Sequence, residues 1–158
     1  MRRENLKHLL YNLLKVSTVS LIGGMVTTPA IKSWYASINK PTFNPPSWVF
    51  SPVWTALFLM MAVSAYMINM KAQNKELLSK AISAYNLQLF LNLLWSILFF
   101  GLKSPTAALV EIAILWCAIL YTILRFKEIY KLSAVLLVPY LLWVTFATVL
   151  NFYIFLLN

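Results

Sequence analysis

Five long apolar stretches, at residues 16–33, 50–70, 81–102, 106–124 and 132–157, constrain this chain more than anything else in it. A helix needs about 20 apolar residues to cross the hydrocarbon core, where no water can take up backbone N–H and C=O groups. Each stretch is close to that length, and together they leave little of the 158 residues for anything else. The expectation is one all-α membrane domain over residues 1–158, a bundle of five transmembrane helices. The blocks lack the period-two alternation of a membrane barrel and are too long for its strands. No internal repeat points to an inverted-repeat transporter. Composition agrees: 61% of residues are hydrophobic and 11% charged, against roughly a quarter charged in soluble domains. The single cysteine, Cys117, and the single histidine, His8, supply neither an internal disulfide nor the material for a zinc site or a His-based triad. Neither a metal nor a cofactor is expected.

The net charge of +9 does not suggest nucleic acid, because the cations sit between apolar blocks rather than on one face. They read instead as topology. Arg2, Arg3, Lys7 and Lys15 precede the first span. Lys71, Lys75 and Lys80 lie between spans two and three, and Arg125, Lys127 and Lys131 between four and five. That puts ten cations on one side and three (Lys32, Lys40, Lys103) on the other. The positive-inside rule then predicts a cytoplasmic amino terminus and an outer carboxyl terminus. The opening Met1-Arg2-Arg3 imitates a secretory signal, but no small-residue cleavage site follows, so the stretch reads as mature structure. Leu6, Leu9, Leu10, Leu13 and Leu14 recur at helical spacing, with Lys7, Asn12 and Lys15 between them. This predicts an amphipathic lead-in turn lying in the interface before span one.

The first loop, residues 34–49, falls on the outer face. Pro41, Pro45, Pro46 and Pro52 crowd into it and the start of span two, each fixing φ, so the segment is expected to be stiff and extended. Trp34 and Trp48 bracket it as interfacial aromatics do. It reads either as an anchored connector or as a lid over a cavity, since a plain hairpin needs no such length.

Within the spans, Gln88, Asn92 and Trp95 share one helical face, as do Trp143, Ala147 and Asn151. Trp54 and Phe58 are one turn apart in span two. Amides at membrane depth must bond to something, so these faces point into the bundle. They read either as glue between helices or as rungs in an aromatic box that opens towards the loop. Aromatics with little charge suit a large, flat, apolar ligand. Glu111 is the only carboxylate inside a span, about 9 Å below the outer end of span four. It is a candidate polar relay or counter-charge, or a structural group satisfied by Lys103 or a tryptophan N–H. Ser20, Gly24 and Thr28 have the small-xxx-small spacing of dimerising helices, which allows a homodimer.

The motif Trp34-Tyr35…Lys40-Pro41…Phe43-Asn44-Pro45-Pro46-Ser47-Trp48-Val49-Phe50…Pro52-Val53-Trp54-Thr55 resembles the signature of the TspO/translocator protein family, the tryptophan-rich sensory proteins or peripheral benzodiazepine receptors. The likeness continues through Gln88-Leu89-Phe90-Leu91-Asn92, Trp95-Ser96, Ala108-Leu109-Val110-Glu111 and Pro139-Tyr140-Leu141-Leu142-Trp143…Phe146-Ala147-Thr148-Val149-Leu150-Asn151. The resemblance implies a five-helix membrane bundle, often dimeric, that binds porphyrins such as protoporphyrin IX, and also sterols and synthetic aromatic ligands, under the first loop. Carried over by motif, the site would comprise Tyr35, Pro45, Trp54, Phe58, Gln88, Asn92, Trp95, Trp143 and Ala147. Trp54 and Trp143 resemble the two tryptophans that the family links to light- and oxygen-dependent porphyrin breakdown. The family's sterol-recognition stretch requires a basic residue soon after a tyrosine in the last helix. Here Tyr153 is followed only by Ile154-Phe155-Leu156-Leu157-Asn158, so the motif is incomplete. The leading expectation is a tetrapyrrole receptor or sensor, with porphyrin-degrading and transporter activities as alternatives.

Overall fold

The computed structural model describes residues 2–158, with side chains from Asn5 onward; the side chains of Arg2 and Arg3, counted in the charge bias, lie outside the described residues. The described chain is helical throughout, and five segments are long and apolar enough to cross a membrane.

Helix α1 runs unbroken over Arg2–Lys32. The lead-in turn expected to lie separately in the interface is instead the beginning of this helix. Nothing in the sequence breaks it there, and Asn12 and Val16, one turn apart, are both buried in the bundle while Leu6, Leu10 and Leu14 face outward. A short helical turn, α2 (Trp34–Ser37), follows, so the loop foreseen at 34–49 is irregular only over 38–46. A single 3-10 turn at Ser47–Val49 leads into α3 (Phe50–Lys71).

Asn74 starts α4 (Lys75–Ser96) by accepting hydrogen bonds from the N–H groups of Glu76 and Leu77 at 2.8 and 3.1 Å, satisfying donors that the first turn leaves open. The end of α4 widens into a π turn, Ile97–Gly101. Lys103, with φ 54°, then reverses the chain. Ser104 caps α5 (Pro105–Ile129) with Pro105 at its first position, where a missing N–H costs nothing. The fifth span is two pieces, α6 (Lys131–Leu136) and α7 (Val138–Leu157). Pro139 has no N–H to continue the helical ladder, and the chain breaks at Leu137 just before it.

Helices α4 and α5 form the most extensively packed pair, α1 lies along α3, and α7 lies along α5. Ala62, Ala65 and Ala81 are fully buried where backbones approach, as small residues allow in membrane bundles. Ser64 Oγ donates to the Ser133 carbonyl at 2.7 Å and ties α3 to α6. A smaller apolar cluster at the other end gathers Tyr35, Phe99, Phe100, Leu150 and Ile154. It separates the loop from the main core.

A candidate ligand cavity

The loop over that cluster is held by specific bonds as well as by proline. Tyr35 donates its hydroxyl proton to Asn44 Oδ1 at 2.6 Å. Lys40 Nζ donates to the carbonyls of Tyr35 and Ile38 at 2.7 and 2.8 Å, curling the chain around its own ammonium. Asn39 and Asn158 pair reciprocally: the Asn39 N–H donates to Asn158 Oδ1 at 3.0 Å, and Asn158 Nδ2 donates to the Asn39 carbonyl at 2.9 Å. Phe43 rests edge-on against Tyr153 of α7, ring centres 5.3 Å apart.

Beneath the loop is a cavity of about 240 Å³. One wall is aromatic. Trp54 and Phe58 of α3 lie 5.6 Å apart by ring centre, Trp95 stacks on Phe99 at 5.1 Å, and Trp143 meets Phe50 edge-on at 6.1 Å. The opposite wall comes from α1, with Ser20, Gly24, Thr27 and Thr28 joined by Ser51 and Thr55 of α3. No charged side chain lines the space.

Of the residues singled out from sequence, Tyr35, Trp54, Phe58, Asn92, Trp95, Trp143 and Ala147 all border this cavity, and Asn151 with them. The amides also act as glue, so both readings of them apply. Asn92 Nδ2 donates to the Tyr140 hydroxyl at 2.9 Å, joining α4 to α7. Trp95 Nε1 donates to Asn151 Oδ1 at 3.1 Å, while Asn151 Nδ2 donates to the Pro105 carbonyl at 2.9 Å. One asparagine of α7 thereby joins α4 and α5.

Two expected residues do not line the cavity. Pro45 stays in the loop, where its carbonyl accepts from Asn44 Nδ2 at 3.1 Å. Gln88 is buried one turn too deep, with neither amide atom bonded to a protein group. Glu111 also lies outside the lining, 5% exposed, and neither of its oxygens has a protein partner. The expected Lys103 or tryptophan N–H does not reach it. Trp95 is spent on Asn151, and Trp116 donates to Thr145 Oγ1 at 2.8 Å. Among the described residues, no three His, Cys, Asp or Glu side chains come together as metal ligands.

The box is expected to open towards the loop, and the exposed lining residues are Ser47 at the end of that loop, Ser20 and Thr28 of α1, and Ser51 and Thr55 of α3. The mouth thus extends from the loop sideways along a seam between α1 and α3. Its cause is the small side chains of α1: a Cβ added at Gly24 would meet nothing within 4 Å. The Ser20/Gly24/Thr28 stripe, read from sequence as a helix-pairing face, forms the cavity wall. Its periodicity alone could not say which neighbour it meets.

Comparison with known proteins agrees with this architecture. The sequence model of the TspO/MBR family matches residues 12–157. The chain is 45% identical over 136 residues to the tryptophan-rich protein TspO of Chlorobaculum tepidum, covering 85% of this chain and 86% of that protein. It is 40% identical over 154 residues to the tryptophan-rich protein TspO of Archaeoglobus fulgidus, covering 98% and 99%. It is also 35% identical over 120 residues to the human translocator protein, covering 75% and 71%. With five apolar spans and relatives of this kind along nearly its whole length, the chain is an integral multi-pass membrane protein and belongs to the TspO/MBR family.

Proposed function

We propose that this protein is a membrane receptor or sensor that binds porphyrin-type tetrapyrroles, such as protoporphyrin IX, in the cavity beneath its first loop, with the amino terminus in the cytoplasm. The observation that carries the reading is a cavity walled by Trp54, Phe58, Trp95, Phe99 and Trp143 with no charge in its lining. Such walls favour a large flat apolar body through ring stacking and burial. The names of its relatives, tryptophan-rich sensory protein and translocator protein, support a sensory or transport role at the membrane. Titration of the detergent-purified protein with protoporphyrin IX in the dark, followed by tryptophan quenching, tests the reading. Saturable quenching is expected, weakened in Trp143→Phe and Asn92→Ala. Unsaturable quenching shared by all three proteins would mean partitioning into detergent and would end the proposal.

A second reading, light- and oxygen-dependent breakdown of the bound porphyrin, draws support from Trp54 and Trp143, whose indoles both border the same space. Illumination in air should then bleach bound porphyrin faster than free porphyrin. Equal bleaching in the Trp54→Phe/Trp143→Phe double variant would remove this reading while leaving the receptor intact.

A further inference from the structure

The cavity raises a question of charge. Protoporphyrin IX carries two carboxylates on one edge, and the lining offers no cation to meet them. An unpaired carboxylate taken to membrane depth is strongly disfavoured. The cavity, at about 240 Å³, is also smaller than the roughly 300–1,000 Å³ of sites that enclose a drug-sized ligand. A tetrapyrrole therefore occupies it only in part, and the rest of the macrocycle stands in the seam between α1 and α3. Its charged edge has to find water or a cation at the outer end of that seam.

Three lysines lie at the outer end of the bundle. Lys40 is engaged, its ammonium bonded to the Tyr35 and Ile38 carbonyls at 2.7 and 2.8 Å. Lys103 belongs to the turn between α4 and α5, none of whose residues 102–104 lines the cavity. Lys32 is exposed in the last turn of α1. It stands four residues after Thr28 and directly after Ile31, both of which border the cavity. At about 1.5 Å per residue it lies roughly 6 Å outward of Thr28 on the same helical face. A lysine there extends its stem along apolar surface and keeps its ammonium at the interface.

Resting on the receptor reading above, we propose that Lys32 is the anchor for the anionic edge of the ligand: the flat body lies between the aromatic wall and the seam, and its carboxylates stay outside, paired with the Lys32 ammonium at the outer end of α1. The site thus takes flat amphiphiles with an apolar body and an acidic rim, and Lys32 is a specificity determinant that does not touch the cavity floor.

The test compares protoporphyrin IX with its dimethyl ester, which keeps the macrocycle and removes both charges. Dissociation constants for each are measured in the dark at low salt for the unaltered protein, Lys32→Gln, Lys103→Gln and Trp143→Phe. Because each ligand is compared with itself across proteins, its detergent partitioning cancels. In Lys32→Gln the diacid should bind about threefold more weakly, the size of an exposed ion pair, and the ester unchanged; high salt should abolish the difference. Lys103→Gln should move neither. Equal effects of Lys32→Gln on diacid and ester, or no effect on either, would overturn the anchor while Trp143→Phe still weakened both ligands. If neither ligand saturates, or Trp143→Phe changes neither, the tetrapyrrole reading itself falls and the anchor falls with it.

Discussion

Single polar atoms inside this bundle carry both structure and site. Asn92 is 4% exposed and donates to Tyr140 while one side of it faces the cavity. Asn92→Leu should destabilise the protein by about 1 kcal/mol, the upper part of the range for interhelical hydrogen bonds in membranes. Thermal unfolding in detergent, run as a cycle with Tyr140→Phe, checks this, and additive losses would mean the bond contributes nothing. Lys103 is the one described non-glycine residue with positive φ, at 54°, a conformation that strains a residue bearing a Cβ by roughly 1–2 kcal/mol. Lys103→Gly should therefore raise the melting temperature, and Lys103→Val should lower it. Tryptophans and amides were readable as site residues because their spacing placed them on common faces. Gln88 shared the stripe with Asn92, yet it lies one turn below the cavity floor. Depth is a property of the assembled helices.

At the scale of elements, the seam between α1 and the turn after α4 is set by Gly101. A Cβ there would meet Val26 Cγ1 at 3.1 Å, close enough that the valine must shift. Gly101→Ala should lower stability modestly, and Val26→Ala in the same molecule should restore part of the loss, since it removes the opposing methyl. Full additivity of the two losses would show that this contact does not govern the approach. The loop behaves as an element in its own right. Its prolines reduce the entropy lost on ordering, but the Tyr35–Asn44, Lys40 and Asn39–Asn158 bonds decide its shape. Asn158→Ala, which removes both bonds to the Asn39 backbone, should accelerate amide exchange across residues 39–46 without changing exchange in α3 or α4. Unchanged exchange would show that the Asn39–Asn158 pair does not hold the loop. None of these pins was visible in the sequence, because each joins residues whose pairing depends on how the loop folds back.

For the whole molecule, the lateral mouth is the feature with functional consequence. Gly24 borders the cavity and has open space where a side chain would project. Gly24→Val should leave the melting temperature unchanged or slightly raised, since valine is the better helix former. It should weaken porphyrin binding at least about tenfold by filling the space a ring would take, on the order of 1.4 kcal/mol. Binding at full affinity in this variant would mean that the ligand does not lie against α1. The unpartnered Glu111 and Gln88 lie outside this space, so substitutions there are expected to act on the fold before they act on the ligand.

Local information sufficed for the spans and their approximate ends, for the all-helical membrane architecture, and for most of the aromatic wall. Apolar length, the Asn74 and Ser104 caps, and the prolines act within a few residues of where they stand, so the sequence alone determined those features. The tertiary structure alone decided that α1 is continuous, that its Ser20/Gly24/Thr28 stripe faces the cavity, that the mouth opens sideways, and that Glu111 has no protein partner. The reason is physical. A soluble helix advertises its buried face by the contrast between apolar and polar residues. A membrane helix presents apolar residues to lipid and core alike, as exposed Leu21, Met25 and Phe90 and buried Met61, Ile112 and Phe126 show. Which face turns inward is then set by the fit of small residues and a few hydrogen bonds between helices, and these exist only once the helices have come together.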